Sequence, residues 1–309
     1  MSGLRTAVVA GASGYIGQHL RSALAAEGVR VRTVGRGPGA DARWSDERGL
    51  TAVLDGVDLL VNLAGRSVSC RYTKRNADAI LASRTETTAA LGRALARTTS
   101  PPGLWVNAST GTIYRDARDR PQDETTGELG AGFSVAVARA WEHELVTAPT
   151  PVRKVALRMA IVLGPGGGAL NPVVNLVRVG LGGRMGAGDQ IFSWVHVDDV
   201  VRAIRHLHAE PAIAGPVNVA TPHPVTNAEL MAEVRAAFGR RHGLPLPAWL
   251  LELGARVIRT ETELVLKSRW VHPGVLLGSG FAFAHPTLPE ALAAIAVETP
   301  PGLLPVPLG

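Results

Sequence analysis

The stretch Thr6-Ala7-Val8-Val9-Ala10-Gly11-Ala12-Ser13-Gly14-Tyr15-Ile16-Gly17 decides how the rest of the chain is read. A short apolar run ends in a glycine turn, and the turn opens directly into an amphipathic segment, as in strand, tight turn and helix. Gly11, Gly14 and Gly17 fall at the spacing GxxGxxG. Gly11 permits the sharp turn, Gly14 leaves room for a pyrophosphate against the main chain, and Gly17 lets the helix lie close to the sheet. The helix start then offers free N–H groups and the positive end of a dipole to phosphate. Gly11, Ser13, Gly14, Tyr15, Ile16 and Gly17 are therefore the candidate cofactor contacts. A glycine triplet alone can be a structural turn, but here a second strand, Val29 to Val34, follows the Glu27-Gly28 stop and completes a nucleotide-binding βαβ unit.

The end of that second strand speaks to the choice of nucleotide. In dinucleotide folds the residue there meets the adenosine ribose: an acid accepts from the 2′-hydroxyl, whereas an arginine pairs with a 2′-phosphate. No Asp or Glu stands at this strand end, and Arg36 does. The expected cofactor is NADP rather than NAD.

Further along, Leu59 to Gly65 is a continuous apolar run suited to a strand buried on both faces, and its small end gives a cofactor room to cross. A helical pattern from about Thr73 to Arg97 stops before Pro101-Pro102, and Leu104 to Ser109 begins the next strand. That strand ends in the polar cluster Ser109-Thr110-Gly111-Thr112-Ile113-Tyr114. Phe133 to Val146 reads as a helix, Val152 to Leu163 as a strand, Leu170 to Val179 as a helix and Phe192 to Val200 as a strand running into a helix capped at Asp198. This alternation predicts an α/β fold, a Rossmann-type doubly wound parallel sheet, with ligands at the carboxyl ends of the strands. Capping boxes at Thr226-Asn227-Ala228-Glu229 and Thr287-Leu288-Pro289-Glu290 start helices. Between them lie helical patterns at Ala248 to Val257 and Glu261 to Arg269. The expected division is a cofactor domain, 1–225, with site-bordering glycine loops at 164–190, and a smaller, mostly helical substrate lobe, 226–309.

Composition narrows the partners. Among 309 residues, 46% are hydrophobic and 19% charged, enough to bury a large core. The net charge of +6 comes from scattered arginines, so an anionic small ligand suffices and no nucleic-acid partner is implied. One cysteine, Cys70, excludes an intrachain disulfide. Without a signal segment or an apolar run of about 20 residues, the expectation is a cytoplasmic protein with no membrane partner. His196 beside Asp198 and Asp199 has no third ligand at suitable spacing, so no metal is expected.

Taken together, GASGYIG at 11–17, NLAG at 62–65, Ser83-Arg84 and the Ser109 to Tyr114 strand end resemble the extended short-chain dehydrogenase/reductase superfamily. The resemblance narrows to an atypical, epimerase-like oxidoreductase subfamily through Leu157-Arg158 with Val162 to Gly168, Gly180 to Gln190, Ser193 to Asp199, and Gly280 to Phe283 with Ala291-Leu292. It covers essentially the whole chain. It implies bound NADP, contacts from Leu63, Ala64 and Gly65, a cofactor role for Arg84, a small-molecule substrate and a homodimer by analogy. Members of the superfamily carry a Tyr and, four residues later, a Lys on the helix after the fifth strand. At the matching helix start this chain has Phe133 and Val137, so the usual proton relay is missing. Ser109 and Thr110 stand where the superfamily places its polarising hydroxyl, and Tyr114 is the nearest phenol, which makes these three the candidate catalytic groups. Glu142 and His143 lie two to three turns past Phe133, out of reach on helical spacing. The implied activity is hydride transfer to or from a small carbonyl-, alkene- or sugar-nucleotide-like substrate. The alternative is a non-catalytic NADP-binding sensor or scaffold. A strict sugar-nucleotide epimerase is disfavoured, because that chemistry relies on the absent tyrosine.

Overall fold

A computed structural model of the protein describes residues 3–247, 249 and 267–306. Its centre is a seven-stranded sheet in the order β10-β6-β5-β4-β1-β2-β3, with every neighbouring pair parallel. The strands are β1 (Thr6–Ala10), β2 (Arg30–Gly35), β3 (Ala42–Arg43), β4 (Leu59–Asn62), β5 (Leu104–Thr110), β6 (Arg153–Met159) and β10 (Gly215–Val219). The chain winds outward from β1 to β3, then returns to place β4 on the other side of β1. This reversal opens a crevice at the carboxyl ends of β1 and β4, where α/β sheets bind ligands. Gly11 to Gly17 and Leu63 to Gly65 both lie there.

Strand periodicity sorts the core onto two faces. Val9, Val61, Val106 and Leu157 meet Leu20 and Leu24 of α1 (Tyr15–Ala26) and Ile204 and Leu207 of α6 (Val197–Ala209). Val8, Leu60 and Trp105 meet α2 (Glu47–Leu54), α3 (Lys74–Leu95) and α4 (Phe133–Thr147) through Leu50, Leu91 and Leu145. Each of these buried leucines contributes roughly 1.5–3 kcal/mol of transfer free energy.

A third core builds the smaller lobe. Val174 and Val177 of α5 (Leu170–Arg178), Leu230 and Val234 of α7 (Asn227–Ala237), and Leu292 and Ile295 of α9 (Leu288–Glu298) pack together. This lobe therefore draws on residues from both sides of position 225. It is tied by β8 (Ile191–Phe192) pairing antiparallel with β11 (Val225–Thr226). The short helix α8 (Gly274–Gly278) precedes α9.

Several boundaries differ from the sequence expectation. Val152 to Leu163 is not one strand. It leaves the main sheet after β6, and β7 (Ile161–Leu163) pairs instead with β9 (Trp194–His196). At the switch, Ala160 N–H donates to Val219 O at 3.0 Å and Ile161 N–H to Ser193 O at 3.2 Å. The strand expected before a cap at Asp198 ends at His196, and the cap of α6 is His196 itself: its ring accepts the Asp198 N–H at 3.2 Å. Thr226 and Glu229 form the expected capping box, whereas Thr287 bonds only the Glu290 side chain, at 2.7 Å. The helical patterns at Ala248 to Val257 and Glu261 to Arg269 fall almost wholly outside the described residues. Arg269 itself sits in an isolated bridge to Phe192 rather than in a helix. Among the described residues no helix is long and apolar enough to cross a membrane.

Candidate functional site

At the glycine turn the geometry leaves no choice of side chain. Gly11 has φ +78°, and a Cβ there would lie 2.7 Å from the Leu63 carbonyl carbon. A Cβ on Gly17 would strike the Gly11 carbonyl oxygen and lie 2.8 Å from Ala12 Cα. The Gly11 N–H is tied to Val34 O at 3.1 Å, which fixes the turn against the end of β2. No side chain caps α1 at Gly14, and no acid stands in its first turn, so the helix start presents unscreened N–H groups. Ser13 is exposed there, Ile16 packs into the core, and Tyr15 reaches the neighbouring loop. The Tyr15 hydroxyl donates to Pro165 O at 3.1 Å, and its ring lies against Gly167 and Gly168. Burial, reinforced by Asp198, pushes its pKa far up and keeps the phenol neutral. This cradle fits a dinucleotide pyrophosphate.

Arg36 stands exposed just beyond β2. The nearest acid in sequence, Asp41, is engaged elsewhere: its carboxylate accepts from Thr33 N–H at 2.7 Å and Thr33 Oγ1 at 2.9 Å. Arg36 thus stands at the end of β2 with no acid on that strand end. Arg84, on α3, reaches back under the β4 end. Its Nη1 donates to Arg66 O at 3.0 Å and Ile80 O at 3.1 Å, and its guanidinium lies 5.0 Å from the Trp141 ring. A Cβ on Gly65 would come within 3.3 Å of that guanidinium, a tight contact that shows how closely Arg84 approaches the β4 end. Burial lowers the Arg84 pKa, and interaction with Tyr72 works against the lowering.

Beyond β5 the polar groups are bound to one another. Ser109 donates to Glu142 Oε1 at 2.6 Å. Arg158 on β6 donates to both Glu142 oxygens, at 2.8 and 2.7 Å, and to the Tyr114 hydroxyl at 2.9 Å. Tyr114 in turn donates to Asn218 Oδ1 at 2.9 Å. Ser109 and Tyr114 are each 3% exposed, and both hydroxyls serve protein partners. Burial raises the Tyr114 pKa, with the Arg158 charge opposing it. Thr110 differs: it is half-buried, and its Oγ1 accepts the Thr112 N–H at 3.1 Å. Arg269 Nε bonds Thr112 Oγ1 at 3.2 Å and brings the smaller lobe to this strand end.

Glu142, two to three turns past Phe133, therefore reaches Ser109 and Arg158. Helix α4 runs back along the sheet, so its third turn returns beside Ser109 and Arg158. The sequence carried a signal for this pairing: an arginine inside the apolar strand Lys154 to Met159 must find an acid when buried. At the start of α4, Phe133 packs with Val68 and Tyr72 against Cys70, Ile80 and Val137. The positions of the superfamily's Tyr and Lys are thus part of an apolar cluster.

The fold also supplies what local spacing lacked near His196. His285 Nε2 lies 3.5 Å from Asp198 Oδ2, and His196 Nδ1 lies 3.4 Å from the same oxygen. The His196 hydrogen bond holds the Asp198 carboxyl below the usual carboxylate range against burial, and His285 assists.

The model of the NAD dependent epimerase/dehydratase family matches residues 7–220, and that of a domain of unknown function, DUF1731, matches residues 246–295. The human epimerase family protein SDR39U1 is 31% identical over 291 residues, covering 93% of this chain and 98% of the human protein. Epimerase family protein Mb2239 of Mycobacterium bovis is 36% identical over 293 residues, covering 92% and 95%. A crystal structure of human SDR39U1 with NADPH superposes with a TM-score of 0.84, covering 94% of this chain and 99% of that one.

Proposed function

This chain belongs to the NAD dependent epimerase/dehydratase family, and we propose that it is an NADP-dependent oxidoreductase acting on a small carbonyl- or alkene-containing substrate. The observation that carries the reading is the intact crevice: an uncapped helix start over a side-chain-free turn, with Arg36 at the adjoining strand end. The presence of NADPH in the human relative supports the same cofactor. Bound NADPH supplies a hydride. The turn from Gly11 to Gly17 holds the pyrophosphate, Arg36 pairs with the 2′-phosphate, and Leu63, Ala64 and Gly65 form the wall that Arg84 buttresses. Thr110 orients the substrate oxygen through its hydroxyl. Ser109 and Tyr114 instead serve a buried network that keeps the β5 end rigid.

A non-catalytic NADP sensor is the second reading, favoured by Phe133 and Val137 at the positions of the usual relay. Incubation of the protein and NADPH with a panel of aldehydes, ketones, enones and imines separates the two. Substrate-dependent loss of reduced-cofactor absorbance supports the oxidoreductase. Tight NADPH binding with no turnover across the panel would leave the sensor reading.

A further inference from the structure

Neither the cofactor cradle nor the β5 network uses the two imidazoles and the carboxylate gathered where the lobes meet. His196 ends β9, beside Leu163 of β7, and Asp198 stands in the first turn of α6. His285 arrives on the segment before α9 and supplies the third ligand missing from the local spacing around His196. Fully buried Asp199 fixes that segment: its carboxylate accepts the Ala284 N–H at 2.7 Å and the His285 N–H at 2.9 Å. One ligand atom from each of His196, Asp198 and His285 lies within 4.8 Å of the others. The two imidazole rings are 4.0 Å apart between centroids.

The separations distinguish a tight ion pair from a ligand set. Asp198 Oδ2 is 3.4 Å from His196 Nδ1 and 3.5 Å from His285 Nε2. A charge-assisted N–H···O bond closes to about 2.7–2.9 Å. Two ligand atoms on a tetrahedral zinc, each bonded at about 2.0–2.2 Å, stand about 3.3–3.5 Å apart. The carboxylate matches the second spacing to both imidazoles. His196 is also poorly served as a core residue. It is 3% exposed, and its Nε2 has no hydrogen-bond partner among the described residues. Its Nδ1 accepts the Asp198 N–H only at 3.2 Å. Burial for packing alone leaves that desolvation cost unanswered. As an acceptor, Nδ1 carries the lone pair that a metal requires.

We propose that His196 Nδ1, Asp198 Oδ2 and His285 Nε2 bind Zn²⁺, with water as the fourth ligand. Two imidazoles and one carboxylate suit zinc, whereas Mg²⁺ and Ca²⁺ take oxygen ligands. The Asp198 side chain is 58% exposed, which opens the fourth position to solvent. Binding takes the Nδ1 lone pair over from the long bond to the Asp198 N–H. Any adjustment that closes the set falls on half-buried His285, because burial fixes His196. The metal staples the start of α6 to the segment leading into α9, and it does so whether or not the protein is an oxidoreductase.

Titration calorimetry of the tag-free, chelator-treated full chain with ZnCl₂ and with MgCl₂ tests the site. One Zn²⁺ binds per chain, and Mg²⁺ gives no saturable heat. His285→Ala and Asp198→Asn each weaken Zn²⁺ at least about 100-fold, whereas His242→Ala, at an exposed histidine, leaves the affinity unchanged. Metal-free Asp198→Asn melts close to wild type, so its loss of zinc is not a loss of fold. Co²⁺ in place of Zn²⁺ gives the visible d–d bands of a four-coordinate ion in wild type and not in either variant. Absence of stoichiometric zinc binding to wild type, or variants that bind zinc as tightly as wild type, overturns the site.

Discussion

The two ends of the cofactor cleft are built by opposite means. At the glycine turn the binding groups are backbone, and what matters is the absence of side chains at Gly11, Gly14 and Gly17. At the β5 end everything depends on side chains that four elements and one loop bring together: Ser109, Glu142, Arg158, Tyr114 and Asn218. The first end tolerates little change, because a Cβ at Gly11 or Gly17 would strike backbone. The second is assembled from partners on separate elements, as the buried pair of Arg158 on β6 and Glu142 on α4 shows.

Breaking each end should have distinct consequences. Glu142→Ala leaves Arg158 buried without its acid and should destabilise the fold by about 3 kcal/mol in chemical denaturation, with NADPH affinity unchanged. Gly17→Val drives a side chain into the turn and should weaken NADPH about 100-fold by titration calorimetry, or about 2.7 kcal/mol. Tyr114→Phe removes one partner each from Arg158 and Asn218 and should lower stability by about 1–1.5 kcal/mol while leaving kcat at the wild-type value. The smallest effect belongs to Asp198, which is 58% exposed in its side chain. Its carboxyl pKa is depressed in the folded state, so its contribution is complete above the ordinary value of 3.8 and is lost as pH falls through the lower folded value. Melting curves of metal-free wild type and Asp198→Asn should differ by less than about 1 kcal/mol at neutral pH and converge in acid.

The same contrast explains what could be read from the sequence. The glycine turn, Arg36 and the βα alternation are local signals, and the fold and cofactor crevice follow from them. Helical spacing from Phe133 says nothing of the partners of Glu142, because only the return of α4 along the sheet brings it to Ser109. His285 stands 87 positions beyond Asp198 in the chain and meets it through the lobe interface. The strand break at Ala160 escaped for the same reason: Val152 to Leu163 is uniformly strand-like, and partners distant in sequence decide which sheet each half joins.

The account stands on the crevice selecting NADP through its backbone cradle and Arg36. Titration calorimetry of wild type and Arg36→Ala with NADPH and with NADH tests this most directly. Wild type should bind NADPH at least about tenfold more tightly than NADH, through charge-assisted bonds to the 2′-phosphate, and Arg36→Ala should bring the two affinities together by weakening NADPH alone. Equal affinities in wild type, or a preference that survives in the variant, would contradict it.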